Sequence, residues 1–241
     1  MRSQKTLFKM SKEKKIQKQA ESNIGTVQNA LSRTEQFIEN NQKIIIYVIV
    51  GLVVVVGGYL AYRSFIQQPR EKRASAEMYT AQYYFELDSF KLALQGDGKN
   101  AGFLNIIDDY GSTKAGNVAN YYAGVCYMRL GEYNTAIGYL EDFDSDDKIL
   151  KPISIGLIGD ANAELGKLDL AIEKYLEAAD QASNDFVSPI YLMRAGIAYE
   201  SLNKWNEALE IYNRIDKEYY GTSEQRNIEK YITRAKLKAG K

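Results

Sequence analysis

Histidine is absent from the chain, so no imidazole base, His-dependent triad or imidazole-ligated zinc or haem site can be built from its residues. A single cysteine, Cys126, can form neither an internal disulfide nor a thiolate cage. Only three prolines occur in 241 residues, and Ala, Leu, Glu, Lys and Tyr are plentiful, a composition that favours helix over sheet. Net charge is missing too, with 31 Lys/Arg against 31 Asp/Glu. That balance conceals a division: residues 1–43 carry nine basic and four acidic residues, and the remainder carries 22 and 27. The body's basic residues are dispersed among more numerous acids, which argues against nucleic acid as a partner.

What the sequence does contain is one long apolar run. From Ile44 to Tyr62 there are 19 residues without a charge, bounded by Lys43 and Arg63. At about 1.5 Å per residue the run matches a hydrocarbon core about 30 Å thick, and it reads as a transmembrane helix. Tyr47 near one end and Tyr59 and Tyr62 near the other fall at headgroup depth. A cleaved signal peptide fits less well, because residues 1–43 precede the run and no Ala-x-Ala pattern follows it. Arg2, Lys5, Lys9, Lys12, Lys14, Lys15 and Lys18 place the N-terminus in the cytoplasm by the positive-inside rule. Arg63, Arg70, Lys72 and Arg73 flank the other end and weaken that bias. The expected arrangement is single-pass in the inner (cytoplasmic) membrane, with the body periplasmic. Within the arm, Ile16, Ala20, Ile24, Val27, Leu31 and Ile38 recur at helical spacing. They suit an amphipathic helix on an anionic leaflet or a partner, or a solvated juxtamembrane helix.

The distal half repeats one pattern three times. The copies are Gly124, Tyr127, Gly131, Ala136, Leu140; then Gly159, Asn162, Gly166, Ala171, Tyr175; then Gly196, Tyr199, Asn203, Ala208, Tyr212. Internal spacings are identical, and successive copies are offset by 35 and 37 residues, the period of helix-turn-helix solenoids. Small residues at Gly124, Gly159 and Gly196, and at Ala136, Ala171 and Ala208, let paired helices approach closely. Leu140, Tyr175 and Tyr212 are expected to fill the groove beside the next repeat. Gly131, Gly166 and Asn203 fall at the turn, where a left-handed backbone ends the first helix. Pro152 and Pro189 mark first-helix starts, with Ser188 expected as an N-cap. A degenerate copy is expected upstream, with helices over 71–94 and 102–109 broken at Gly96-Asp97-Gly98.

At these residues the sequence resembles the tetratricopeptide repeat family, departing from it at Asn162, at Leu140 and in the lack of proline near Asn117. With the apolar run, the resemblance implies an all-α chain: a single N-terminal transmembrane helix followed by a tetratricopeptide-type right-handed helical solenoid. Five segments follow: a basic, partly helical arm (1–43), the span (44–62), a linker helix with the degenerate repeat (63–116), three repeats (117–222) and a polar-faced capping helix (223–241). In layout the chain resembles membrane-anchored bacterial envelope repeat proteins such as the ancillary SecYEG translocon subunit. That likeness implies a scaffold for protein or peptide clients, assisting translocation or folding of exported proteins at the translocon or another envelope complex. The alternative is a structural subunit of an envelope complex, engaged through its span or arm.

Repeats of this kind present first-helix side chains on a concave face. Counting from the small residues, the inward positions are Tyr121, Val125, Met128 and Arg129, then Ile153, Asp160, Ala163 and Glu164, then Met193, Ile197 and Glu200. Aromatic, aliphatic and Met side chains there suit an apolar or amphipathic peptide, although several are equally placed to be inter-repeat core. Only Arg129 is basic among them, so the Lys/Asn/Arg array with which family members clamp chaperone carboxylates is not expected. No enzyme, cofactor, metal site or small-molecule substrate is expected. The run Asp142, Asp144, Asp146, Asp147 lacks the glycine and terminal glutamate of an EF-hand. Gly96-Asp97-Gly98 is too short for a phosphate loop. Cys126 reads as a buried small hydrophobe.

Overall fold

The computed structural model describes residues 37–240. The apolar pattern of the basic arm from Ile16 to Leu31 lies outside the described residues. The chain divides into two compact units, Met1–Phe65 and Ile66–Lys241.

In the first unit, α1 runs over 37–62, beginning several residues before the apolar run. None of its residues is buried, and it is long and apolar enough to cross a membrane. A π-helical turn, Arg63–Gln67, follows.

The second unit is built of helices, with no strand among the described residues. Three hairpins form its centre: α5 (Lys114–Leu130) with α6 (Tyr133–Asp142), α7 (Leu150–Glu164) with α8 (Leu168–Ala182), and α9 (Ser188–Ser201) with α10 (Trp205–Glu218). Each turn is made the same way. Gly131, Gly166 and Asn203 take φ of 78°, 72° and 57°, the left-handed region that ends a helix. The following N–H, of Glu132, Lys167 or Lys204, donates to the carbonyl of Tyr127, Asn162 or Tyr199 at 2.9, 2.8 and 2.9 Å.

The glycines on the first helices are required by contact. A Cβ at Gly124 would stand 2.6 Å from Leu140 Cγ, at Gly159 2.7 Å from Tyr175 Cδ1, and at Gly196 2.3 Å from Tyr212 Cε1. The large residues therefore lie on the glycine of their own repeat, sixteen positions earlier, and not only beside the next repeat as expected. Tyr175 also reaches forward, stacking on Tyr191 at 6.1 Å between centroids. Asn162, in place of tyrosine, is buried and satisfied by donating to the Ile158 carbonyl at 2.8 Å.

Upstream, the first helix of the degenerate copy ends earlier than the expected 71–94 run. Helix α2 (Gln68–Glu86) stops at Asp88, which takes φ 53°, and α3 (Phe90–Gln95) starts beyond it. Ser89 N–H donates to the Tyr84 carbonyl at 2.9 Å, reproducing the later turns. Ala81, Tyr84, Asp88 and Ala93 have the spacing of Gly124, Tyr127, Gly131 and Ala136, so the frame extends one repeat further back. Helix α4 (Phe103–Tyr110) resumes after the Gly96–Gly102 interruption and buries Phe103 and Ile106.

Helix starts use two devices. Thr113 and Thr222 each accept a backbone N–H three residues on, at 3.0 and 3.3 Å. Asp147 and Asn184, 37 apart, accept the N–H groups of the second and third residues after them. Ser188 is not the expected N-cap. It is the first residue of α9, fully buried, and its hydroxyl donates to the Ala179 carbonyl at 2.7 Å, tying α9 to α8. The C-terminal cap is two helices rather than one, α11 (Ser223–Arg226) and α12 (Ile228–Ala239). The longer one buries Ile228, Ile232 and Ala235 against the preceding core.

Glycine substitutions should separate contact from helix propensity. Gly159→Ala overpacks the Tyr175 ring and should cost about 1–3 kcal/mol. Gly138→Ala, in α6 with nothing within 4 Å of the added carbon, should stabilise by about 1 kcal/mol. Urea titrations of the full chain in detergent, followed by circular dichroism, should move the two midpoints in opposite directions.

Candidate binding site on the first-helix face

Helices α5, α7 and α9 present their exposed stripes to a shared cavity of about 460 Å³. Val125, Met128 and Arg129 of α5 line one side, and Leu157, Asp160, Ala163 and Glu164 of α7 form the middle. Arg194 of α9 closes the far side, with Tyr133 and Tyr175 contributed by the second helices. Six of the expected groove residues thus meet there: Val125, Met128, Arg129, Asp160, Ala163 and Glu164. The other five do not line it. Tyr121 packs its ring 5.5 Å from that of Phe143, and Met193 lies against the C-terminal core, as does Ile153. Ile197 is exposed farther along, and Glu200 is taken up by Tyr212 and Arg234.

Leu157 and Arg194 were missed by counting forward from the glycines. Each stands two residues before its glycine, at an i, i+3 step from positions that were named, so a complete helical wheel would have included them. The partnership of Arg194 with Asp160 carries no local signal, because 34 residues separate them.

The polar end of the cavity is an inter-repeat clamp. Asp160 pairs with Arg194 and also accepts the Tyr175 hydroxyl at 2.8 Å, and the Arg194 guanidinium lies over the Tyr191 ring at 5.3 Å. The same set recurs one junction later. Glu200 pairs with Arg234 at 2.8 Å and accepts the Tyr212 hydroxyl at 3.0 Å, and Arg234 lies over Tyr231 at 4.8 Å. At the first junction the positions equivalent to Asp160, Tyr175 and Arg194 hold Val125, Leu140 and Leu157, and the position equivalent to Glu200 holds Met128. The cavity consequently has a paired acid and arginine toward α9, and toward α5 the apolar Val125 and Met128 beside Arg129. Arg129 makes neither an ion pair nor a side-chain hydrogen bond among the described residues, and Glu164 only accepts weakly from Tyr133 at 3.5 Å.

Burial pushes the Tyr175 and Tyr212 hydroxyls well above the usual tyrosine range, and the neighbouring carboxylates Asp160 and Glu200 add to it. Burial does the same to Tyr191. Cys126, enclosed by apolar neighbours, is pushed up to about 12 and has no thiolate character near neutrality. Nothing in the cavity pairs a nucleophile with a base. Among the described residues no group of three or more carboxylates or thiols could hold a metal ion.

Comparisons with known proteins agree with this geometry. The tetratricopeptide repeat family model matches residues 118–146 and 191–219. Among solved structures, the chain is similar to a Podosopora anserina protein assigned as a kinesin light chain with nearly identical TPR-like repeats. That match has 12% identity, a TM-score of 0.53, and covers 70% of this chain and 88% of that one. It is also similar to the MamA protein, with 17% identity, a TM-score of 0.50, and coverage of 69% of this chain and 92% of that one. No curated protein sequence matches it. The second unit is a tetratricopeptide-like helical solenoid, and repeats of this type are protein-interaction scaffolds.

Because the folded pKa values of Tyr175, Tyr191 and Tyr212 lie above the ordinary 10.0, their contribution to stability is complete below that pH. It is lost as pH rises beyond it, since only the unfolded chain then releases those protons. An alkaline titration should show the last tyrosinate absorbance at 295 nm appearing together with loss of helical ellipticity, not before it.

Proposed function

We propose that the chain is a membrane-anchored repeat scaffold without enzymatic activity, which holds a peptide segment of a protein client in the cavity between α5, α7 and α9. The observation that carries this reading is the cavity itself, where Val125, Met128, Leu157 and Ala163 offer apolar surface beside the charged Arg129, Asp160, Glu164 and Arg194. Such a surface suits an extended or helical segment with apolar anchors. Helix α1 is the anchor: its apolar run is uncharged and its side chains are unburied, as a lipid-facing helix requires. The basic arm stays in the cytoplasm and the solenoid lies on the periplasmic side of the inner membrane, where it assists translocation or folding of exported clients.

Photoreactive groups at Val125, Met128 and Leu157 should capture client segments in living cells, while groups at Glu173 and Glu210 on the second helices should capture few. The reverse pattern would move the binding surface to the other face. Leu157→Asp should weaken a captured peptide by about tenfold or more, the equivalent of about 1.4 kcal/mol, with helicity unchanged.

Topology has its own test. Protease added to intact spheroplasts should digest the chain beyond residue 66 and spare the N-terminal arm. Loss of the arm with protection of the solenoid would reverse the orientation.

A further inference from the structure

The first helices begin along one edge of the solenoid, and hydrogen bonds join that edge from end to end. Glu71, in the first turn of α2, accepts the backbone N–H groups of Lys114 and Ala115 at the start of α5, at 2.7 and 3.0 Å. Asn117 of α5 donates to the Asp144 carbonyl at 2.6 Å and accepts the Asp144 N–H at 3.0 Å, in the loop before α7. Asn184, in the loop before α9, donates to the Lys148 carbonyl at 3.3 Å. The loops preceding α7 and α9 therefore lie on the same edge as the start of α2, where the second unit begins.

Two of these loops hold an apolar side chain outward by one device. Asp147 accepts the N–H groups of Ile149 and Leu150, both at 2.8 Å, and Asn184 accepts those of Phe186 and Val187 at 2.9 and 2.8 Å. In each turn the second residue after the side-chain acceptor points to solvent: Ile149 is 46% exposed and Phe186 69%. Leu150 adds a further partly open side chain, whereas Val187 is turned into the core. The outward position is thus fixed by backbone hydrogen bonding at the repeat spacing, 147 to 149 and 184 to 186.

We propose that this edge contacts a bilayer surface, with Ile149, Leu150 and Phe186 entering the boundary between headgroups and acyl chains. The inference rests on reading α1 as a membrane span. Lipid is the occupant because the chain supplies it: residues 63–67 alone separate Tyr62, the end of the apolar run, from α2. Even fully extended, the six steps from Tyr62 to Gln68 reach at most about 22 Å, so the α2 end of that edge is tethered within that distance of the end of the apolar run. The charge on the edge is mixed. Lys148 and Lys151 neighbour the apolar residues, but so do Asp144, Asp146, Asp147 and Asp185. Attraction to anionic headgroups is therefore weak, and contact comes from apolar insertion on neutral lipid with little salt dependence.

The single tryptophan provides a control. Trp205 begins the second helix α10, directly after the left-handed turn at Asn203, and so lies at the opposite edge from the first-helix starts. The full chain would be placed in phosphatidylcholine nanodiscs with and without brominated acyl chains, which quench tryptophan only on close approach. In a Trp205→Phe background, Phe186→Trp and Ile149→Trp should each lose emission by about twofold or more in brominated lipid, as expected for side chains buried at the acyl boundary. The wild-type Trp205 emission should be unaffected. Resistance of the chain to alkaline carbonate extraction, measured on the same membranes, tests the span separately. A chain that resists extraction while both new tryptophans behave like Trp205 would overturn the edge contact and leave the span standing. A chain released by carbonate would remove both readings.

Discussion

A helix backbone pressed directly against a neighbouring side chain, with no Cβ between them, sets the geometry of the solenoid. At Gly124, Gly159 and Gly196 the facing Leu140, Tyr175 or Tyr212 occupies the space that any other residue's side chain would need. The alanines Ala136, Ala171 and Ala208, each fully buried, complete the close crossing from the other helix. With the crossing distance fixed, the left-handed turn has one length that closes the hairpin, and the same residue spacing follows in every copy. The exposed stripes of successive first helices then fall in line, and a continuous face arises from a packing rule that concerns only the interior.

Variation between copies is placed on that fixed frame, and it decides the chemistry of the face. Where a junction carries acid, tyrosine and arginine, the three satisfy one another: Asp160 with Tyr175 and Arg194, Glu200 with Tyr212 and Arg234. Charges so engaged are poor handles for a ligand, because binding would first have to break them. The junction that carries Val125, Leu140 and Leu157 instead has no such network, and its apolar surface remains available. Between the first junction and the Asp160 junction, three residue changes on the same repeat frame separate an apolar surface from a self-satisfied polar network.

Much of this frame was legible in the residues because glycine and alanine at close crossings, and glycine or asparagine at left-handed turns, have few substitutes. The upstream copy was harder. Its crossing residue is Ala81 and its left-handed residue is Asp88, neither of which signals a turn strongly, and the conspicuous Gly96-Asp97-Gly98 drew the boundary too late. Ser188 was misread for a related reason: serine before proline usually caps, but here the hydroxyl is spent on the Ala179 carbonyl of the preceding helix. About half of the candidate cavity was found, namely the residues that follow each glycine. What escaped was either off the counted stripe, as with Leu157, or defined by a partner more than thirty positions away, as with Arg194 and Asp160. Local spacing encodes where a side chain points; it does not encode which distant charge will meet it.

The buried apolar residues of the solenoid fall into two separate clusters, one reaching from Met78 to Cys126 and the other from Ile155 to Ala235. Between them in sequence lie Leu140 and Phe143, both buried, Leu140 on the Gly124 backbone and Phe143 against the Tyr121 ring. The seam between the two clusters is the junction of α6 with α7, where the Ser154 hydroxyl donates to the Leu140 carbonyl at 3.0 Å. The cavity straddles that seam, with Val125 and Met128 on one bank and Leu157 and Arg194 on the other. A segment lodged across it would touch both banks at once and brace the two half-solenoids into one body.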